Sequence, residues 1–292
     1  MTEIDPVDGQ EKTVEVICKT AQIDKNQKFA QYLQEELLII EKLTKVVGVV
    51  QCHGIQKVKN SFNNDALEQH VILEFCSYGS LHSLSVFTKP YDEHAAFIVI
   101  RQVAQALQNV HRENILHLDI KESNILISFN RENQFQTNCG LLPLEFKLAD
   151  WGVSRDLSNK QHVLNKQNLV YHRGTPRYMA PEQNVNKPVD DIFKVEVFSL
   201  GIVLFRLLFK CFPFSTDNMH EEARDPNFLL NFMNSEKNLH KVRPSNECIL
   251  LLKRMLAYKQ SDRCSLSEVL SSDWFNMCEF RLKRPEILER AK

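Results

Sequence analysis

Residues 115–126, Ile-Leu-His-Leu-Asp-Ile-Lys-Glu-Ser-Asn-Ile-Leu, place His117, Asp119, Lys121 and Asn124 in an otherwise apolar run. Ile115 and Leu116 read as a short buried strand, and Asn124-Ile125-Leu126-Ile127 as the start of another. A carboxylate, an ammonium and a carboxamide are thereby held on a short turn between two anchored strands. A carboxylate there can take a proton, and an ammonium can neutralise charge building on nearby oxygens. A carboxamide offers a hard oxygen to a metal. A lone Asp-x-Lys would deserve only the reading of a charged surface turn. The spacing of His, Asp two residues on, Lys four on and Asn seven on supplies all four groups together.

Other segments must hold this loop in place. Val14-Glu15-Val16-Ile17-Cys18-Lys19 alternates as a strand with Lys19 near its end. Apolar residues at 29, 33, 37, 40 and 43 give a helical period, with Glu35, Glu36 and Glu41 around it. Val46–His53 and Val71–Cys76 are strand-like, separated by the polar turn 60–65. Ala95–His111 has the pattern of a long buried helix leading into the loop. Phe146–Ala149 is a further strand, ending in Asp150-Trp151-Gly152. Val197–Phe212 reads as a buried helix, followed by amphipathic segments at 228–232, 249–256 and 266–270.

The organisation expected is α+β: a loose lead-in at 1–13, a small sheet with one helix at 14–76 and a hinge at 77–80. A larger, mostly helical part follows at 81–274, and then a helical tail at 275–292. Residues 128–146 should form an exposed hairpin or loop without a catalytic part, and 153–173 an irregular polar stretch. No internal repeat is visible.

With 292 residues, 43% of them hydrophobic, the chain can bury a large core. Thirty-six Lys and Arg balance 37 Asp and Glu, so no basic field exists to attract nucleic acid or an anionic membrane. No apolar segment follows Met1, and the run at 197–212 is broken by Arg206 and Lys210, which argues against a signal peptide and a membrane span. The eight cysteines form no Cys-x-x-Cys pair, a pattern expected of free thiols in a reducing cytoplasm.

From Lys19 to Trp274 the chain resembles a eukaryotic protein kinase domain, carried by His-Leu-Asp-Ile-Lys-Glu-Ser-Asn, Asp-Trp-Gly and Gly174-Thr-Pro-Arg-Tyr-Met-Ala-Pro-Glu182 in family order. The resemblance implies a bilobal fold, ATP and Mg2+ as cofactors, and a protein substrate. Lys19 is similar to the strand lysine that holds the α- and β-phosphates, and Glu36 to the helix glutamate that pairs with it; Glu35 is the alternative partner. Asp119 takes the place of the base or hydroxyl-orienting group, and Lys121 of the cation beside the phosphoryl. Asn124 and Asp150 take the places of the metal ligands. Leu73 corresponds to the gatekeeper, Glu74 and Cys76 to the residues offering backbone groups to adenine, and Ser80 to a position near the ribose. Lys two residues after the catalytic Asp resembles the serine/threonine branch. Thr175 should contact the catalytic loop beside the acceptor hydroxyl. Glu182 should pair with Arg263, joining the activation segment to the C-terminal helices.

Four departures accompany the match. A Gly-x-Gly-x-x-Gly loop belongs upstream of Lys19, where Gly9 is the only glycine. Either that lid is lost, with the first strands truncated, or the sequence starts at an internal Met of a longer chain. Ile17 replaces a small alanine against adenine. Leu118 replaces the arginine that receives activation-loop phosphate, which disfavours that switch at Ser154, Ser158 or Tyr171. Glu196 replaces an aspartate that anchors the catalytic loop, and its extra methylene should still reach with shifted geometry. Two readings follow: a serine/threonine protein kinase, or a pseudokinase serving as a binding or scaffold module. The intact set of Lys19, Asp119, Asn124 and Asp150 favours the enzyme.

Overall fold

The structure is a computed structural model that describes residues 2–4, 11–13, 15–22, 27–60, 66–86, 89–129, 144–158, 169–184, 189–215 and 219–282. Thr2–Ile4 (β1) pairs antiparallel with Glu11–Thr13 (β2), so the stretch read as a loose lead-in contains a hairpin. At three residues each, these strands are too brief for an alternating pattern to mark them. Gly9 lies outside the described residues, as do most of the 128–146 insertion, the middle of 153–173 and the tail beyond 282.

Val16–Gln22 (β3), Cys52–Asn60 (β4) and Ala66–Glu74 (β5) form an antiparallel sheet in the order β3-β5-β4. Lys19 lies opposite Val71, and Ile17 opposite Leu73. The helix Gln27–Leu43 (α1) turns Ile39, Ile40 and Leu43 into the core, which places Glu36 one turn earlier beside the sheet. The strand expected over 46–53 starts only at Cys52. Gly48 has a φ of +87°, and a Cβ there would stand 2.4 Å from the Ala106 Cβ. The chain therefore turns at 47–48, and only then does Val49 form a parallel bridge to Leu148, with Val49 and Val50 buried.

Glu74 ends β5, and Leu81–Val86 (α2) starts after a short connection. Glu93–Arg112 (α3) is capped by Asp92, whose carboxylate accepts the Ala95 N–H at 2.7 Å. Its apolar face, Phe97 to Val110, is buried throughout. Glu93 fixes its start by accepting from the Ser245 N–H at 2.8 Å and the Trp274 Nε1–H at 2.7 Å.

Ile115–Leu116 (β6) and Ile125–Phe129 (β7) bracket the loop read first in the sequence, with a 3-10 turn at Glu122–Asn124 between them. Leu144–Leu148 (β8) pairs with β7, and Arg155–Asp156 (β9) with β6. These two ribbons hold the 117–124 loop and the Asp150 turn side by side. Pro181–Asn184 (α4) leads to Lys194–Phe209 (α5), buried along nearly its whole circumference, as a helix enclosed by others must be. Phe228–Asn234 (α6), Asn246–Met255 (α7), Leu266–Leu270 (α8) and Asp273–Leu282 (α9) pack around it and α3.

Candidate active site

Strands β6 and β7 carry the 117–124 loop, and its residues are locked from several sides. Leu118 is buried with a φ of +66°, and its N–H donates to Glu196 Oε1 at 2.7 Å. His117 is fully enclosed. Its Nε2 lies 3.0 Å from the Ala149 carbonyl, so Nε2 carries the proton, and Nδ1 accepts the Asp119 N–H at 3.2 Å. Burial pushes this imidazole below its ordinary value, in agreement with a neutral ring. The ring packs on Trp151 with centroids 4.6 Å apart, and the Ser154 hydroxyl donates to the His117 carbonyl at 2.9 Å. His117 therefore ties the loop to the Asp150 turn.

The Asp119 carboxylate is satisfied on both oxygens. Oδ1 accepts the Thr175 hydroxyl at 2.7 Å; Oδ2 meets Lys121 Nζ at 2.7 Å and accepts Asn124 Nδ2 at 2.9 Å. Lys121 also donates to Thr175 Oγ1 at 2.8 Å. Burial alone would raise this carboxyl's pKa, but the bonds from Lys121, Thr175 and Asn124 outweigh it and hold the group below the usual aspartate value. Asn124 Nδ2 also donates to the Asp119 carbonyl at 2.9 Å, which fixes the carboxamide, and its Oδ1 accepts the Ser123 hydroxyl at 3.4 Å. The Ala149 N–H donates to the Asn124 carbonyl at 2.9 Å, bringing the next residue, Asp150, against the loop.

Asp150 takes a φ of +68° and leaves its side chain half exposed. Its Oδ1 lies 3.6 Å from Lys19 Nζ, and that ammonium pairs with Glu36 Oε1 at 2.5 Å. Burial works against the Lys19 charge, but Glu36 and Asp150 more than compensate, and its pKa is raised. Glu35 points to Arg155 instead, at 3.6 Å, which settles the partner of Lys19. Asn124 and Asp150 offer two hard oxygens, a donor set suited to magnesium, and Lys19 offers a fixed cation to a phosphate.

The remaining expected residues line the edge next to the sheet. Leu73 lies one residue before the end of the inner strand, opposite Ile17, which is itself half exposed. Glu74 uses its side chain structurally: it accepts the Gln51 N–H at 3.1 Å and pairs with Lys147. Cys76 is buried, its carbonyl accepting the Gly79 N–H at 3.1 Å. Ser80 bridges to Leu126 and accepts the Ser83 N–H at 3.2 Å. Glu182 and Arg263 form a buried two-pronged pair at 2.6 and 3.0 Å. A second buried cluster had no sequence reading: Glu122 accepts the Tyr178 hydroxyl on one oxygen and Arg206 Nε on the other. No local spacing links three residues so far apart, so only the assembled fold reveals them.

The family profile described as protein kinase domain matches residues 7–275. Serine/threonine-protein kinase ULK3 of Homo sapiens is 29% identical over 244 residues, spanning 82% of this chain and 45% of that protein. Serine/threonine-protein kinase cds1 of Schizosaccharomyces pombe is 29% identical over 255 residues, spanning 84% and 48%. The chain thus spans about half the length of the curated relatives it matches. A crystal structure of the Rad53 kinase domain and SCD2 in complex with AMPPNP shares the fold, with a TM-score of 0.61 at 19% identity over 94% of this chain and 86% of that one. The small sheet with its helix, the larger helical part and the residues gathered between them have one reading: this chain belongs to the protein kinase domain family.

Proposed function

We propose that this domain transfers the γ-phosphoryl group of ATP to serine or threonine hydroxyls of a protein substrate. The observation that carries the reading is the Asp119 carboxylate, kept ionised and aimed by Thr175, Lys121 and Asn124. An ionised carboxylate in a fixed direction can accept the acceptor hydroxyl's proton as the oxygen attacks. Lys121, bridging Asp119 and Thr175, stands where it can neutralise charge on the phosphoryl oxygens. Lys19, steered by Glu36, would hold the α- and β-phosphates. Asn124 and Asp150 would hold magnesium, which would supply positive charge to offset that of the phosphates.

Lys121 beside Thr175 and the serine/threonine kinases among the relatives support hydroxyl acceptors on short side chains. The alternative of a non-catalytic binding module finds no support, since the Lys19–Glu36 pair is closed and Asp119 is fully oriented. Incubating the purified chain with magnesium, labelled ATP and matched Ser, Thr and Tyr peptides tests the proposal. Label should appear on serine and threonine and be absent from tyrosine. Label on tyrosine alone, or on none of the three, would refute it.

A further inference from the structure

Two guanidinium groups pack on the Phe212 ring, Arg177 with Cζ 3.6 Å from its centroid and Arg206 at 4.0 Å. Their charges have different fates. Arg206 is neutralised by buried Glu122, whose second oxygen is taken by Tyr178. Arg177 is exposed, and among the described residues no carboxylate pairs with it. The ring face holds this guanidinium in place without discharging it.

Arg177 stands on the wall of a cleft of about 270 Å³, lined also by Pro176, Phe212, Phe214, Met219 and His220. Among the described residues no carboxylate lines it. The cleft adjoins the acceptor position, because Thr175, whose hydroxyl bonds Asp119, directly precedes Pro176 and Arg177 in one 3-10 turn. Two residues of chain span at most ~7 Å. The Arg177 backbone thus lies within that span of Thr175, close enough for a residue near the acceptor of a substrate at Asp119 to reach this cleft.

We infer that this cleft selects the substrate: a Glu or Asp within about three residues of the acceptor docks its carboxylate on Arg177, and Lys or Arg there is repelled. A guanidinium with no carboxylate partner among the described residues matches a monoanionic carboxylate better than a phosphate dianion, which calls for several donors. The inference rests on Asp119 as the residue that meets the acceptor.

Fluorescence anisotropy with labelled serine peptides tests it without requiring phosphate transfer. The peptides differ only in one residue, Glu, Gln, Lys or phosphoserine, placed in turn at each of the three positions on either side of the acceptor. At one position at least, the Glu peptide should bind roughly tenfold tighter than its Lys counterpart, with the gap shrinking in high salt. Arg177→Glu should invert that order, and Arg177→Gln should abolish it, each checked as folded by thermal melting. Equal binding of Glu and Lys peptides at every position would overturn the inference. So would a preference that survives in Arg177→Gln, undetectable binding of every Glu peptide, or tight binding confined to the phosphoserine peptides. A domain that binds by this rule yet transfers no phosphate would instead refute the proposed function and leave the docking rule standing.

Discussion

Glu196, on the buried helix α5, reaches across to the 117–124 loop and accepts the Leu118 N–H at 2.7 Å. Its other oxygen lies 2.6 Å from His111 Nε2, on the helix that leads into the loop. One carboxylate thus binds the loop backbone to two core helices. Leu118 sits in left-handed backbone, a conformation that a non-glycine residue keeps only when its surroundings insist. The longer side chain does reach the loop, as expected, and His111 takes up the second oxygen.

Glu196→Ala should therefore destabilise the domain by about 2–4 kcal/mol, leaving a buried N–H without an acceptor. Glu196→Gln, which keeps a carbonyl for Leu118, should lose less than half as much. Denaturant unfolding measures both. A loss under about 0.5 kcal/mol for the alanine variant would show that the loop holds itself.

Gly174 has a φ of +104°, and a Cβ there would stand 2.2 Å from the Leu118 carbonyl oxygen. Gly174→Ala must push the Thr175 segment away from Asp119, breaking the 2.7 Å bond between them. Transfer should fall at least about tenfold, alongside a stability loss of about 1–3 kcal/mol from the strained backbone. Steady-state kinetics and melting read the two effects separately. Unchanged kinetics would mean that the Thr175 contact is dispensable.

His117 is held neutral, its value pushed below the ordinary 6.5 by burial. A histidine depressed in the fold contributes stability that is complete above its unfolded value and is lost as pH falls from there through the folded value. Melting temperature should thus decline as pH drops below about 6.5, in part through this ring. Nitrogen-15 NMR at pH 6 should show a neutral imidazole protonated at Nε2. A charged ring at that pH would contradict the bond pattern to Ala149 and Asp119.

Arg263 and Glu182 are buried together, so Arg263→Ala strands a carboxylate in the core. The expected cost is about 3–5 kcal/mol. Replacing both by Met and Leu should recover more than half of it, because the pair's own desolvation then disappears. Chemical denaturation of the three variants is the check. A double variant no better than Arg263→Ala would mean that the pair's further bonds, from Arg263 to the carbonyls of Ala257 and Lys194, matter more than its charge.

Much of the site was legible because its residues cluster in sequence or stand next to strong patterns. Asp119, Lys121 and Asn124 share one loop, and Glu36 flanks the apolar stripe of an evident helix, where the family resemblance singles it out. Thr175 and Arg263 follow from their local contexts, and both lie where the pattern put them. Elsewhere the signal was long-range. The 46–51 stretch looks like a strand because Val46, Val49 and Val50 are apolar, yet it turns at 47–48, where Gly48 closes on Ala106. The place of Glu74 in the sequence points to its backbone, while its side chain pairs with Lys147, 73 positions away. The Glu122–Tyr178–Arg206 cluster is likewise a product of packing α5 under the loop. Such pairs exist only once distant segments meet.

The most direct measurement of the account is single-turnover phosphate transfer by Asp119→Asn beside the unaltered domain, with magnesium-ATP binding followed in parallel. The substitution keeps the size of the side chain and removes its charge and basicity. Binding should persist, while the transfer step falls by about 10²–10⁴-fold. Transfer within about twofold of the unaltered domain would contradict Asp119 as the group that receives the acceptor's proton.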